Sequence, residues 1–236
     1  MTNALKLLSV LLSYPSKDLL AAGEELHAAL AADMGIDARS RLWLGALIDD
    51  ICGRDLYDAE ERYVLLFDRT RTLSLHLFEH VHGESRDRGQ AMVDLAAMYE
   101  AQGFEIDARE LPDYLPLFLE YLSTQSAEET HNLLGQTLHI YTILRERLQA
   151  RGSIYANAML VLEAIAGGKA DAAIVAELRQ QPEDDPHDLQ ALDDIWEEEA
   201  VTFMAGKGAA CGPDRLRTQL RAAQRPPEQP ETRGEQ

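Results

Sequence analysis

His76, Glu79 and His80 stand in the order H-x-x-E-H, and His82 follows two residues later. On a helix, histidines four apart share a face and can hold Zn²⁺ while the glutamate serves as general base, as in the inverted zincins. Against that chemistry, a five-residue pattern arises by chance, and no third ligand is identifiable in the sequence. Imidazoles near a helix end are also more often hydrogen-bonded than metallated. A small helical metalloprotein or hydrolase is therefore kept as an alternative, and no catalytic residue, metal ligand or cofactor is assigned.

Two neighbouring segments carry chemistry of a different kind. Tyr63, Leu66 and Phe67 sit at i, i+3 and i+4, the spacing of a core stripe. The same spacing lets Tyr63 and Phe67 wall a groove for an apolar peptide, with the tyrosine hydroxyl wet at the rim. In Leu111–Leu122, Pro112 can start a helix with Asp113 in its first turn. Pro116 removes a backbone donor soon after, and Asp113 and Glu120 lie on nearby faces that can meet a basic ligand. Nine acids between Glu183 and Glu199 read first as a solvated face and second as a dock for arginines. Gly168-Lys169 and Gly206-Lys207 lie outside any phosphate-loop frame, and there is no nucleophile elbow or dinucleotide turn.

The elements that position these residues read as helices throughout. Leu44, Leu47, Ile48 and Ile51 repeat at helical spacing, as do Met92, Leu95, Ala96 and Tyr99, and Leu115, Phe118, Leu119 and Leu122. No sustained two-residue alternation occurs. Ser16 can cap a helix through about Ala32, and Ser126 with Glu129 forms a capping box. The expectation is an all-α, single-domain bundle of roughly ten helices over residues 1–204. Residues 205–236, rich in Gly, Pro and Gln, form a tail that buries too little surface to offset its ordering entropy and is expected to be flexible.

Composition narrows the function. Among 236 residues, 22 Lys and Arg face 41 Asp and Glu, a formal charge of −19. Such a field repels nucleic acid and anionic membranes and attracts basic peptides. The tail holds six basic residues against four acids, which leaves −21 on the first 204. Cys52 and Cys211 make neither a disulfide framework nor a cysteine-rich zinc site. No apolar run is long enough to span a bilayer, and the N-terminus is a poor secretory signal, so a cytoplasmic protein is expected.

Tyr63-Val-Leu-Leu-Phe67-Asp68, Ser74 through Met92 and Leu111 through Ser123 resemble the NarJ family. These are assembly chaperones, or delta subunits, of respiratory nitrate reductase within the TorD/DmsD-like group. The resemblance covers about residues 3–204, from LKLLSVLLSYP to WEEEAVTF. It implies an all-helical fold without catalytic turnover. It implies binding to the N-terminus of the molybdenum catalytic (alpha) subunit, support for molybdenum-cofactor insertion alongside the insertion machinery, and delay of membrane docking. A basic amphipathic client peptide complements an acidic helical protein with an apolar groove. The expected lining is Tyr63, Phe67, Phe78, Tyr114 and Tyr121, with Asp68, Glu79, Asp113 and Glu120 supplying charge and His82 beside them. Members of that family often carry Asp-His at the Pro-Asp-x-Leu-Pro position, where this chain has Tyr114. A phenol bears no positive charge near neutral pH, so pH-gated release is not expected from that position. An acidic adaptor for an unrelated basic partner is a further alternative.

Overall fold

In the computed structural model, which describes residues 2–82, 86–106 and 110–182, leucines at helical spacing fold Thr2–Leu11 into α1. Its Leu5, Leu8 and Leu11 are fully buried. The acidic run, the 205–236 tail and the side chain of His82 lie outside the described residues. The single helix expected from Ser16 to Ala32 is two. Ser16 accepts the Leu19 N–H at 3.1 Å and caps α2 (Lys17–Ala21). The chain bends at Ala22 and starts again as α3 (Gly23–Ala32). Gly23 permits close approach to α4 (Ala38–Cys52), since a Cβ there would sit 3.2 Å from the Cys52 Cβ.

Asp55 caps α5 (Leu56–Tyr63), which runs directly into a π-helical turn, Val64–Asp68, closed by the Arg69 N–H on the Val64 carbonyl at 3.0 Å. A 3₁₀ turn (Arg71–Leu73) and α6 (Leu77–His82) follow, then α7 (Arg86–Ala101) and α8 (Leu115–Thr124). The described residues close with α9 (Ala127–Gln136), α10 (Leu138–Ala150), α11 (Ala156–Ala166) and α12 (Ala172–Leu178). Ser126 does cap α9, accepting from the Glu129 N–H at 3.2 Å. Gly167 ends α11 at φ 63°, ψ 178°, a region open in practice to glycine alone.

All-α is thus the fold class, with twelve α-helices among the described residues where roughly ten are expected. One buried cluster unites α1 to α11: α1 lies along α8, α11 sits between α10 and α4, and α3 covers α4. Each fully buried leucine contributes about 2 kcal/mol by transfer alone. A second clamp is polar. Arg147 of α10, itself buried, donates to the Thr72 carbonyl at 2.7 Å and the Leu178 carbonyl at 2.6 Å, tying the 3₁₀ turn and α12 to the core.

Pro112 does not start a helix. Helix α8 begins at Leu115, and Pro116 takes its second position, where a missing N–H leaves no helical bond unmade. Asp113 is held outside α8 by a different partner. Among the described residues no strand forms, but His76 and Tyr114 pair as one isolated antiparallel bridge.

Candidate functional site

That bridge is where the site begins. The Leu77 N–H donates to the Asp113 carbonyl at 3.0 Å, and the Leu115 N–H to the Leu75 carbonyl at 2.8 Å. Tyr99 of α7 reinforces the second segment by donating its hydroxyl to the Pro112 carbonyl at 2.8 Å. Asp113 is wholly buried, and its carboxylate accepts the Phe78 N–H at 3.0 Å while the other oxygen lies 3.2 Å from His76 Nδ1. It thereby satisfies an orphan donor in the first turn of α6, a helix to which it does not belong. Burial alone would disfavour the His76 imidazolium. The Asp113 hydrogen bond and charge, with Glu79 adding, outweigh it and raise the pKa above the ordinary value.

Next to His76 lies a pair of phenols. The Tyr63 hydroxyl is 2.9 Å from the Leu12 carbonyl and 2.8 Å from the Tyr114 hydroxyl. A carbonyl can only accept, so Tyr63 gives its single proton to Leu12 and Tyr114 must donate to Tyr63. The half-buried Tyr114 oxygen therefore keeps only acceptor capacity for anything else that approaches. Burial pushes its phenol up to about 12, so it stays neutral across the physiological range. Rings continue the cluster. Tyr14 meets Tyr63 edge-on at 5.4 Å, Tyr63 meets Phe67 at 5.0 Å, and Phe67 meets Tyr155 at 5.0 Å. The ladder runs from buried Tyr155 to Tyr14, which is 49% exposed.

Carboxylates surround the outer end. Asp68, exposed at the end of the π turn, has its pKa raised by partial burial, and the nearby His76 charge works against that rise. Glu60 and Asp68 add to the burial that raises the Tyr14 phenol. Glu110 and Asp68 act likewise on Tyr114. Leu111, 48% exposed, adds an apolar group beside this segment.

The structure thus brings together Tyr63, Phe67, Asp68, Asp113 and Tyr114, though not all of them at the surface. Tyr63 and Phe67 are buried beneath Tyr14, and Asp113 is spent inside. Phe78 and Tyr121 are not part of the lining: at 1% and 2% exposure they belong to the core, Tyr121 packing on Tyr99 and Phe104. Helical spacing puts core and rim aromatics on one stripe, so spacing alone cannot separate them. Glu79 pairs with Arg88 at 3.1 Å, and Glu120 pairs with Lys6 of α1. Two further residues, Tyr14 and His76, lie against this cluster, Tyr14 on Tyr63 and His76 on Tyr114 and Asp113. Tyr14 stands just after a leucine-rich helix and just before Pro15, which marks the start of a loop able to leave it exposed.

The zinc-like pattern is dispersed. His76 turns to Asp113, Glu79 to Arg88, and buried His80 places Nε2 2.8 Å from the Ser74 carbonyl, its pKa lowered by burial. Among the described residues no three His, Cys, Asp or Glu side chains are grouped to share a metal ion. No helix among them is long and apolar enough to cross a membrane. A separate open cleft of about 540 Å³ lies between Asp50, Arg54, Asp58 and Arg62 on one side and Arg151–Ile154 on the other. Arg54 and Arg62 both pair with Asp50 there, and with Asp58, Glu61 and Arg151 also in the lining the charges of the two signs are equal in number.

Comparison with known proteins assigns the chain to a family. The pattern of the nitrate reductase delta subunit family matches residues 22–160. The chain is 45% identical over 209 residues to the nitrate reductase molybdenum cofactor assembly chaperone NarJ of Escherichia coli (strain K12), covering 88% of this chain and 87% of the relative. It is 38% identical over 208 residues to the probable chaperone NarW of the same organism, covering 88% and 86%. A probable NarJ of Bacillus subtilis (strain 168) is 35% identical over 102 residues, 43% of this chain and 55% of the relative.

Proposed function

The chain belongs to the nitrate reductase delta subunit family, and on that premise we propose that it is an assembly chaperone for a nitrate reductase. It works in the cytoplasm, turns over no substrate, and holds the N-terminal peptide of the molybdenum-bearing catalytic subunit. Retention of that peptide delays membrane docking while the molybdenum cofactor is inserted.

The observation that best supports this reading is the polarity of the Tyr63–Tyr114 pair. A hydroxyl restricted to accepting, beside an exposed tyrosine ring and the carboxylates Asp68, Glu60 and Glu110, suits a peptide that brings cationic donors and apolar side chains together. A guanidinium can stack on the Tyr14 face while its fork reaches a carboxylate. Firm but reversible holding requires a dissociation constant near a micromolar, about −8 kcal/mol.

Calorimetry with a synthetic peptide of the catalytic subunit's N-terminus tests this. Tyr14→Ala and Asp68→Asn should each weaken binding about five- to twentyfold, equivalent to roughly 1–2 kcal/mol, with far-ultraviolet circular dichroism unchanged. Wild-type affinity in both variants would remove the surface from consideration.

A further inference from the structure

The Tyr14–Tyr114 surface asks for an occupant that is cationic and apolar at once, and the chain carries such a segment itself. Residues Asp214–Arg225 read DRLRTQLRAAQR: four arginines against one acid, with Leu216 and Leu220 four apart. On a helix Leu216 and Leu220 would share a face, as would Arg217 and Arg221. This is the most basic stretch in a chain of net charge −19. We propose that Asp214–Arg225 docks on the surface formed by Tyr14, Tyr114, Leu111, Asp68, Glu60 and Glu110, and there competes with the client peptide.

The intervening chain is long compared with the folded body. Thirty-one residues separate Pro182, the last described, from Asp214. As an unstructured linker they would span about 30 Å, and as a continuous helix about 46 Å. A folded body of this size has a radius of gyration of roughly 16 Å. Tethering at that length gives an effective concentration on the order of millimolar, so even a weak contact is partly formed and lowers the apparent client affinity in proportion. The surface is acidic and the segment basic, which sets the sense of the attraction. The acidic run Glu183–Glu199 is the competing dock within the same chain.

The inference rests on the client reading above, and two measurements on the full chain keep them separable. A photo-crosslinking benzoylphenylalanine in place of Gln219 should label peptides containing Tyr14, Tyr57–Arg69 or Leu111–Tyr114. Labelling confined to 183–199, or to a second molecule, overturns the docking. In calorimetry, the double variant Arg215→Gln/Arg217→Gln should bind the client peptide about three- to tenfold more tightly than wild type. Lys207→Gln/Arg233→Gln, with the same change in net charge, should not. Equal gains in both variants would mean that only overall charge matters, and the competition would be refuted. If the peptide binds none of these proteins, the client reading fails, and the crosslink alone decides whether the segment docks.

Discussion

Asp113, expected to supply charge toward a basic ligand, instead holds the segment before α8 against the start of α6. Its charge is used inward, on the Phe78 N–H and on His76. Asp113→Asn keeps the shape but loses the charge-assisted bonds and should destabilise the protein by about 1–3 kcal/mol in urea unfolding. The His76 imidazole gives this pair a pH signature. Its folded-state pKa lies above the ordinary value, so the folded protein binds the proton more tightly. The stability contributed by His76 is then fully present below the ordinary imidazole range and is lost as pH rises through the folded value. The stability difference between wild type and His76→Gln should accordingly shrink from pH 5.5 to pH 8.5, and a difference independent of pH would contradict the assignment. None of this was legible in the residues 74–92 taken alone. A histidine's pKa partner 37 residues away is a tertiary fact, and hydrophobic periodicity carries no information about it.

At the level of elements, periodicity identified the helices and failed at their ends. Ser126 was correctly read as a cap because capping is local, a side chain three residues from its donor. The break at Ala22 carries no local signal of this kind; the neighbouring Gly23 packs closely against Cys52 of α4, a contact between residues 29 apart. The start of α8 was placed too early because the backbone of Asp113 is committed to α6. The π turn at Val64–Asp68 has no sequence signature, yet it closes the helix beneath Tyr63 and Phe67 and ends on Asp68. The Arg147 clamp is equally nonlocal. Arg147→Met should cost about 3 kcal/mol by leaving two buried carbonyls without their donor. Hydrogen exchange should rise first in α12, and uniform loss across all helices would show that the clamp does not act locally.

For the whole molecule, charge and helix content were readable from composition and spacing, and the family from three segments. Which aromatics stand near the surface was only half readable: Tyr114 is half-buried and Tyr14 49% exposed, whereas Tyr63, Phe67, Phe78 and Tyr121 all went to the core. The excess of negative charge predicts that client binding weakens as sodium chloride rises from 0.05 to 0.5 M, because screening shortens from over 10 Å to a few ångströms. The loss should fall mainly on the association rate, and an unchanged rate would mean that apolar contact alone drives capture. The Tyr63 hydroxyl has a bearing on how the protein matures. Two contacts, to Leu12 and to Tyr114, each bridging 51 residues, converge on that one oxygen. Such widely separated contacts are slow to close. The Tyr63–Tyr114 pair therefore cannot form during synthesis until residue 114 has left the ribosome, so this part of the fold closes only once about half of the 236-residue chain is made.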